Sequence, residues 1–404
     1  MKHRRRIAVV SPFLDKRHGT ERGVCEWVSR LADEFEIHLY SQRVEDIDLS
    51  GIHWHRIPRI PWPHLINYLW WFVANHAWRW FDSAFRDLRC AMVYSPGINS
   101  MDADVISVHI VFADLYEQKR DVLKLAHNSF WSWPKIIHRR LYYRLIISLE
   151  KRIYSGSEKA IIPITRKTAA DLNRFYGRRR EFPFLYPGID SQVFGPLARN
   201  QERKRMREQL GLPDHAFVLL LVGNDWHNKG LPVLIKSVHL LSHLPIFLLV
   251  AGKDDPHNFR EMVRAYGLEN RVFCLQPRPD IIAYYAAADA YVGPSLADAF
   301  SQPIAEAMAC GLPVIVSAKA GASEVVADGV NGLILNDPTD VDELAGLIGN
   351  LYRNPEVRDR MSAAAVATIR CFTWDQSASK LGSVFREVVE ARDPNENNLV
   401  RGIL

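Results

Sequence analysis

Two carboxylates, Asp298 and Glu306, are separated by seven residues where a loop turns into a helix. The loop follows a short apolar strand that ends near Gly293, and the helix begins near Ser301. Pro303 suits the first helical turn, where a missing N–H costs nothing. Gly311 ends the helix and Pro313 opens the next strand. A helix start at the carboxyl edge of a parallel sheet is an anion site. Its dipole contributes only about 0.3–1 kcal/mol, rising to roughly 2 kcal/mol when partly buried. A diphosphate held there therefore needs cations as well. Carboxylates do not bind phosphate, but they accept hydrogen bonds from hydroxyls. The pattern points to a ligand with sugar hydroxyls on both sides of a phosphate group. A plainer reading stays open: Asp298 as a helix cap and Glu306 as a solvated helix residue.

A cation follows a second strand. Val222-Gly223-Asn224-Asp225-Trp226-His227-Asn228-Lys229-Gly230 runs from a strand end, through a glycine that lets backbone approach a ligand, to Lys229 at the mouth of the next helix. Two further segments follow strands nearer the start. His18-Gly19-Thr20-Glu21-Arg22 comes after the first strand, and His109 ends Asp104-Val105-Ile106-Ser107-Val108-His109. Tyr94 ends a neighbouring strand and is expected to line the same pocket as His109. Read alone, these are also compatible with a surface lysine, a plain turn and a structural histidine.

The elements that position these residues alternate between short β-branched runs and helical patterns, the signature of parallel sheets covered by helices. Strands are expected at 6–11, 36–41, 52–57, 91–95, 104–109, 159–164 and 181–186, and again at 217–223, 246–252, 271–275, 290–293, 313–317 and 332–335. The polar stretch from Gly195 to Pro213 is read as the join between two domains, with a short helix inside it. Apolar residues at 378, 381, 385 and 388 predict an amphipathic helix from Trp374 to Arg392, with a turn and a frayed tail beyond. At 404 residues the chain exceeds one ordinary core. It is 48% apolar and 24% charged, which excludes disorder and fibre. The formal net charge of +5 permits anionic partners without indicating nucleic acid. Five cysteines with no C-x-x-C pair point to a reduced protein without a zinc knuckle. No stretch reads as a secretory signal or a membrane span. Dinucleotide-binding, P-loop, zincin and nucleophile-elbow motifs are all missing.

The stretch from Asp298 through Glu306-Ala307-Met308-Ala309-Cys310-Gly311-Leu312-Pro313-Val314 resembles the acidic–seven–acidic motif of the family 4 retaining glycosyltransferases, which have the GT-B fold. The resemblance extends over nearly the whole chain and is strongest from Phe217 to Leu335. It implies an α/β protein of two Rossmann-like domains facing across a cleft, with a C-terminal helix crossing back to the first. Residues 1–190 would form the acceptor-side domain, 191–373 the nucleotide-sugar domain, and 374–404 a helix and tail packed on the first domain. The implied reaction is transfer of a sugar from a nucleotide-diphosphate sugar to an acceptor hydroxyl with retention, in bacterial cell-envelope glycan or glycolipid synthesis. By this resemblance Glu306 binds the ribose and Asp298 contacts the donor sugar. The Phe300, Ser301 and Gln302 amides and Lys229 hold the diphosphate, bordered by Gly19, Gly223, Asn224 and Glu324. The acceptor would meet Thr20, Glu21, Tyr94 and His109, and His109, Lys229 and Asp298 would carry the chemistry. No cofactor or metal is implied, because Lys229 and backbone amides supply the positive charge.

The sequence departs from the family pattern in places. Asp stands at 298 where Glu is commoner, and Ala299, Ser301 and Gln302 stand where Gly, Gly and Leu are frequent. Asn224 replaces the expected Arg, and His18 replaces the first glycine of a Gly-Gly-x-Glu-Arg loop. Two other readings share the architecture: a nucleotide-sugar epimerase, which needs no acceptor, and a non-catalytic sugar-nucleotide-binding partner. Six of the eleven tryptophans fall between 54 and 80, and the helix expected over 135–154 carries six Lys or Arg with Ile137, Leu141, Leu145 and Leu149 at four-residue steps. Aromatics with cations suit an anionic membrane surface; a buried aromatic helix with a solvated basic face fits equally well. The expected location is cytoplasmic, peripheral on the inner membrane.

Overall fold

A computed structural model describes residues 4–392 except 17, 62, 121–122, 125–129, 157 and 180. Trp62 and the expected C-terminal turn and tail thus lie outside the described residues. The chain divides into two units, Met1–Gly188 together with Trp374–Leu404, and Ile189–Thr373. The division falls two residues before the expected 190.

The first unit contains β1 (Arg6–Val10), β2 (Phe13–Leu14), α1 (Gly19–Leu31), β3 (Glu36–Ser41), β4 (Arg43–Val44), β5 (Ile52–Arg56), α2 (His64–Phe85), β6 (Met92–Pro96), β7 (Val105–Val108), α3 (Phe112–Gln118), α4 (Trp133–Tyr154), β8 (Ala160–Pro163) and α5 (Arg166–Tyr176). Six strands form a parallel sheet in the order β5-β3-β1-β6-β7-β8, and β2 pairs β4 separately. Residues 181–186 do not form the expected strand. Their run of apolar residues makes one ladder-like bond, Leu185 N–H to the Pro163 carbonyl, and continues as irregular chain.

The second unit contains α6 (Pro196–Gln209), β9 (Phe217–Val222), α7 (Leu231–Leu240), β10 (Ile246–Ala251), α8 (His257–Ala265), β11 (Val272–Leu275), α9 (Ile282–Ala287), β12 (Ala290–Gly293), α10 (Gln302–Ala309), β13 (Val314–Ser317), β14 (Leu333–Leu335), α11 (Val341–Arg353) and α12 (Pro355–Ile369). Its six-stranded sheet runs β11-β10-β9-β12-β13-β14. Within each unit the chain thus visits sheet positions in the same doubly wound order. The first strand lies inside and the chain reverses direction beside it, at β1/β6 and at β9/β12. The central strands read as unbroken apolar runs because helices cover both faces: Ile7–Val10 and Val218–Leu221 are all buried.

The 195–213 stretch is not a join. It is α6, an integral helix of the second unit. Arg199 and Arg203 donate to the carbonyl of Ala288, Arg203 and Arg207 also reach that of Ala287, and both pair with Asp289. These guanidinium groups satisfy carbonyls at the C-terminus of α9, where a cation also complements the helix dipole.

The last helix, α13 (Trp374–Arg392), belongs to the first unit. It buries Trp374, Ala378, Leu381, Val384, Phe385 and Val389 in the same core as Trp27, Val28 and Leu31 of α1. The two helices approach closely at Gly382, where an added Cβ would stand 2.8 Å from Leu31 Cδ2. Trp27 Nε1–H donates to Ser377 Oγ (2.8 Å), which donates to the Tyr186 carbonyl (2.7 Å). Below this packing runs a buried polar line. Tyr94 Oη and Ser107 Oγ share a hydrogen bond (2.7 Å), and Ser107 Oγ lies 3.4 Å from His109 Nε2. The His109 ring packs beside Trp27 at 5.8 Å between centroids. Burial lowers its pKa from 6.5 to about 4, so it is neutral at pH 7.

Fully burying a leucine side chain stabilises by about 1.5–3 kcal/mol, and truncation adds a cavity cost. Leu381→Ala should lower stability by about 2–5 kcal/mol, read as a shift of the urea unfolding midpoint. Between the unfolded His109 pKa of 6.5 and its folded value of about 4, the unfolded chain binds more protons. This residue's contribution is complete above pH ~6.5 and is lost as pH falls, at up to about 1.4 kcal/mol per unit. Urea midpoints followed from neutral to mildly acidic pH should fall less steeply in His109→Asn than in the parent.

Candidate functional site

In the second unit the residues singled out from sequence gather at the carboxyl ends of β9 and β12, the adjacent strands where the winding reverses. That is where doubly wound sheets bind ligands. Gly223 follows β9 with φ +143°, a backbone state that side chains rarely adopt. An added Cβ there would stand 2.7 Å from Lys229 Cε, so the lysine stem lies across the glycine. Gly230 has φ +80°, and an added Cβ would run into the carbonyl of Pro294. Two hydrogen bonds draw these loops together. Leu296 N–H donates to the Asn228 carbonyl (2.8 Å), and Asn228 Nδ2 donates to the Ala297 carbonyl (2.8 Å).

The clasp places Lys229 Nζ against the Asp298 carboxylate in a direct ion pair, with Ser301 Oγ at 3.5 Å. Both charged side chains are largely shielded, at 13% and 15% exposure. Asn228 is thus a structural clip. Asn224 has a similar part: its Oδ1 accepts the Lys253 N–H (3.0 Å). Beside it the Asp254 carboxylate takes the Asp225 and Trp226 amides (2.9 and 2.6 Å).

Ser301 caps α10 with φ +66° and ψ +70°, left-handed backbone for a residue with a Cβ. This explains why glycine is frequent at that place in the family the motif resembles, since glycine takes the conformation without strain. Gln302 and Pro303 open the helix. The loop before it is held by a short 3-10 turn, Gly321–Val325, which carries Glu324. Gly321 N–H donates to the Asp298 carbonyl (3.1 Å) and Ala322 N–H to that of Phe300 (2.7 Å). Glu306 lies one turn into α10 and is buried at 4% exposure, not solvated. Its Oε2 accepts the Tyr285 hydroxyl (2.8 Å).

Two residues of this site escaped the sequence reading. Tyr285 on α9 and Tyr291 on β12 are both buried. Burial first, and then the negative charge of Glu306, push the Tyr285 phenol far up; burial and the charges of Asp298 and Glu306 do the same to Tyr291. Tyr291 therefore bridges the field of the two acids. A buried tyrosine on an apolar strand looks like core, and no local pattern marks it. Ser295 Oγ, buried in the same loop, has no hydrogen-bond partner among the described residues.

In the first unit the corresponding reversal point carries the other candidates. His18 is the N-cap of α1, its Nδ1 is 2.9 Å from Asp15, and Gly19, Thr20 and Glu21 form the first turn. Gly19 is exposed and needs no unusual φ; burial raises the Glu21 pKa. His109 follows β7 and is 8% exposed. Tyr94 does not line a pocket. It has no exposed surface, its hydroxyl is taken by Ser107 and its ring lies 5.3 Å from Phe385. Alternation along β6 turns it into the core.

Residues 202–367 match the family model described as "Glycosyl transferases group 1". A D-inositol 3-phosphate glycosyltransferase of Xylanimonas cellulosilytica is 32% identical over 252 residues, 60% of each chain. Its counterpart in Corynebacterium glutamicum is 32% identical over 222 residues, 52% of each. The chain thus spans about half to three fifths of the length of these relatives. Among solved structures, WaaG, a glycosyltransferase involved in lipopolysaccharide biosynthesis, superposes with a TM-score of 0.76 at 20% identity, covering 94% of this chain and 99% of that one. Anabaena HepE in complex with UDP-glucose gives 0.68 at 20%, covering 95% and 99%. Residues 202–367 thus match the group 1 glycosyltransferase model at the sheet reversal point, and the chain as a whole shares the GT-B fold of these solved structures.

Proposed function

We propose that the protein transfers a sugar from a nucleotide-diphosphate sugar to an acceptor hydroxyl with retention. One observation carries the reading: Lys229, Asp298, the start of α10 and Glu306 meet at the reversal point of one sheet. In this reading the diphosphate lies over the first turn of α10. Lys229 Nζ turns from Asp298 to the phosphate oxygens, where a charge-assisted hydrogen bond contributes about 1.5–3 kcal/mol. Asp298, freed of its partner, accepts hydroxyls of the donor sugar. Glu306, oriented by Tyr285, accepts the ribose hydroxyls, and Glu324 borders the same ligand.

Charge that builds on the leaving diphosphate is stabilised by Lys229 and by the amides of Phe300 to Gln302, already oriented by the fold. These groups supply the positive charge, so the reading assigns no metal and no cofactor. The leaving phosphate takes the acceptor proton, and the protein provides no nucleophile. Gly19, Thr20, Glu21 and His109 serve the acceptor. Neutral His109 accepts a hydrogen bond there and does not deliver a proton.

A cell-envelope glycan or glycolipid acceptor is suggested by the lipopolysaccharide role of WaaG, a neighbour in fold, and by the surface of the first unit. On α2, Val73, Trp80 and Phe85 are 66–68% exposed, and Phe81 is 46% exposed. On α4 the apolar stripe packs on the core at Leu149 and turns outward toward the start of the helix. Ile137 and Leu141 are exposed among Arg139, Arg140 and Arg144, while Ile136, Ile146 and Ile153 are buried. Exposed aromatics beside cations suit an anionic membrane surface. Among the described residues no helix is long and apolar enough to cross a membrane.

A panel of nucleotide sugars should contain one that raises the melting temperature, and mass spectrometry should find its sugar on an acceptor. Lys229→Ala and Glu306→Ala should each reduce turnover by at least about a hundredfold while circular dichroism stays native. Turnover retained in both variants would remove the assignment. Release of an isomerised donor with no acceptor present would favour the epimerase.

A further inference from the structure

The first unit carries a polar ladder far along the chain from any residue discussed above. Strands β3 and β5 pair in parallel with His38 opposite His53 and Tyr40 opposite His55. Residues two apart share a face, so Glu36, His38, Tyr40, His53 and His55 project on one side of the sheet. His38 stacks on His53 at 4.9 Å, and Tyr40 on His55 at 4.4 Å. Asp82 of α2 closes one end: its Oδ2 lies 2.9 Å from His55 Nδ1 and accepts the Tyr40 hydroxyl (3.0 Å), and its Oδ1 accepts Arg86 (3.0 Å).

Hydrogen counting along this ladder leaves one place short. Asp82 only accepts, so His55 Nδ1 carries the hydrogen between them. A neutral His55 then presents a lone pair at Nε2, 3.0 Å from His38 Nδ1. His38 must donate there, which leaves its Nε2 bare. That bare nitrogen faces Glu36 Oε1 at 3.0 Å, an oxygen that already accepts Arg6 Nε–H (3.1 Å). Two neutral imidazoles supply two hydrogens for three contacts. A lone pair and a carboxylate oxygen in contact call for a cation between them.

We infer that Glu36, His38 and His53 form a binding site for a divalent transition-metal ion of the zinc type. Among the described residues they are the one group of three His, Cys, Asp or Glu side chains whose ligand atoms lie within 4.8 Å of one another. Two imidazoles and a carboxylate are a ligand set that zinc accepts, with water completing the tetrahedron. Bonds of about 2.0–2.2 Å require ligand atoms roughly 3.3–4.2 Å apart. Glu36 Oε1 and His38 Nε2, now 3.0 Å apart, need to open only slightly to meet this, and rotation of the exposed His53 brings in the third. His55 and Asp82 are the outer partners that fix the His38 tautomer and aim its Nε2. Glu36 also lines a cavity of about 830 Å³ with Arg6, Phe35 and Cys90, which leaves a route from solvent. Bound there, the ion ties the edge strand β5 to β3.

The test titrates the full chain, stripped by a chelator, with Zn²⁺ against a chromophoric competitor, and with Co²⁺ by absorption. The expected result is one saturable equivalent with a tetrahedral Co²⁺ spectrum and a raised melting temperature. His53→Ala and Glu36→Gln should each weaken that equivalent at least about tenfold, with unchanged circular dichroism. His53 is exposed, so its truncation leaves the fold intact, and neither variant touches the residues assigned to sugar transfer. No saturable equivalent, or one unaltered in the double variant His53→Ala/Glu36→Gln, would overturn the inference. A shift of the histidine proton resonances with pH but not with metal would assign the gap to a proton instead.

Discussion

The contact between Gly230 and the Pro294 carbonyl controls the geometry of the candidate site. Two loops that end neighbouring strands can meet only because one of them has no side chain at that point. Their meeting brings Lys229 and Asp298, 69 residues apart, into a shielded ion pair. A pair of opposite charges out of water is costly unless its geometry is well defined. Asn228 and the glycines at 223 and 230 supply that definition with backbone contacts, not charge. The site therefore holds its cation by steric means and keeps it neutralised by Asp298.

This arrangement bears on the apparent loss of a second cation at 224. Asn224 closes the turn between the ends of β9 and β10 by accepting the Lys253 amide. An arginine could not accept that bond. Asn224 therefore supplies local rigidity through an acceptor that an arginine lacks. Ser301 keeps a left-handed cap that glycine would adopt more easily but places a hydroxyl near Lys229 Nζ.

Most of the sheet architecture was legible because strands buried on both faces read as continuous apolar runs, and glycines mark the turns that follow them. The expected strand at 181–186 failed for a physical reason: Pro183 has no N–H to give a ladder, and only Leu185 bonds the β8 edge. The α6 helix was misread because arginines usually signal solvent, whereas here they cap the carbonyl end of α9. On α4 the four-residue stripe divides, with Ile137 and Leu141 exposed and Leu149 packed against the core. In the candidate site the acids, the lysine and the helix start all have local signatures. Tyr285 and Tyr291 have none, because their importance arises only from the Glu306 carboxylate that the Tyr285 hydroxyl meets and from the two acids whose charge reaches Tyr291. Tyr94 was placed by the strand end it occupies, and strand alternation turned it the other way.

The return of α13 to the first unit has a consequence for how the molecule is made. The core around Trp27, Val28 and Leu31 lacks its cover until the last twenty or so residues of the helix are synthesised. On a ribosome the middle of the chain, continuous from 189 to 373, can reach its native state first. The opening half meanwhile exposes an apolar groove that only α13 fills. Nascent chains arrested before codon 374 should be the species that chaperones hold longest.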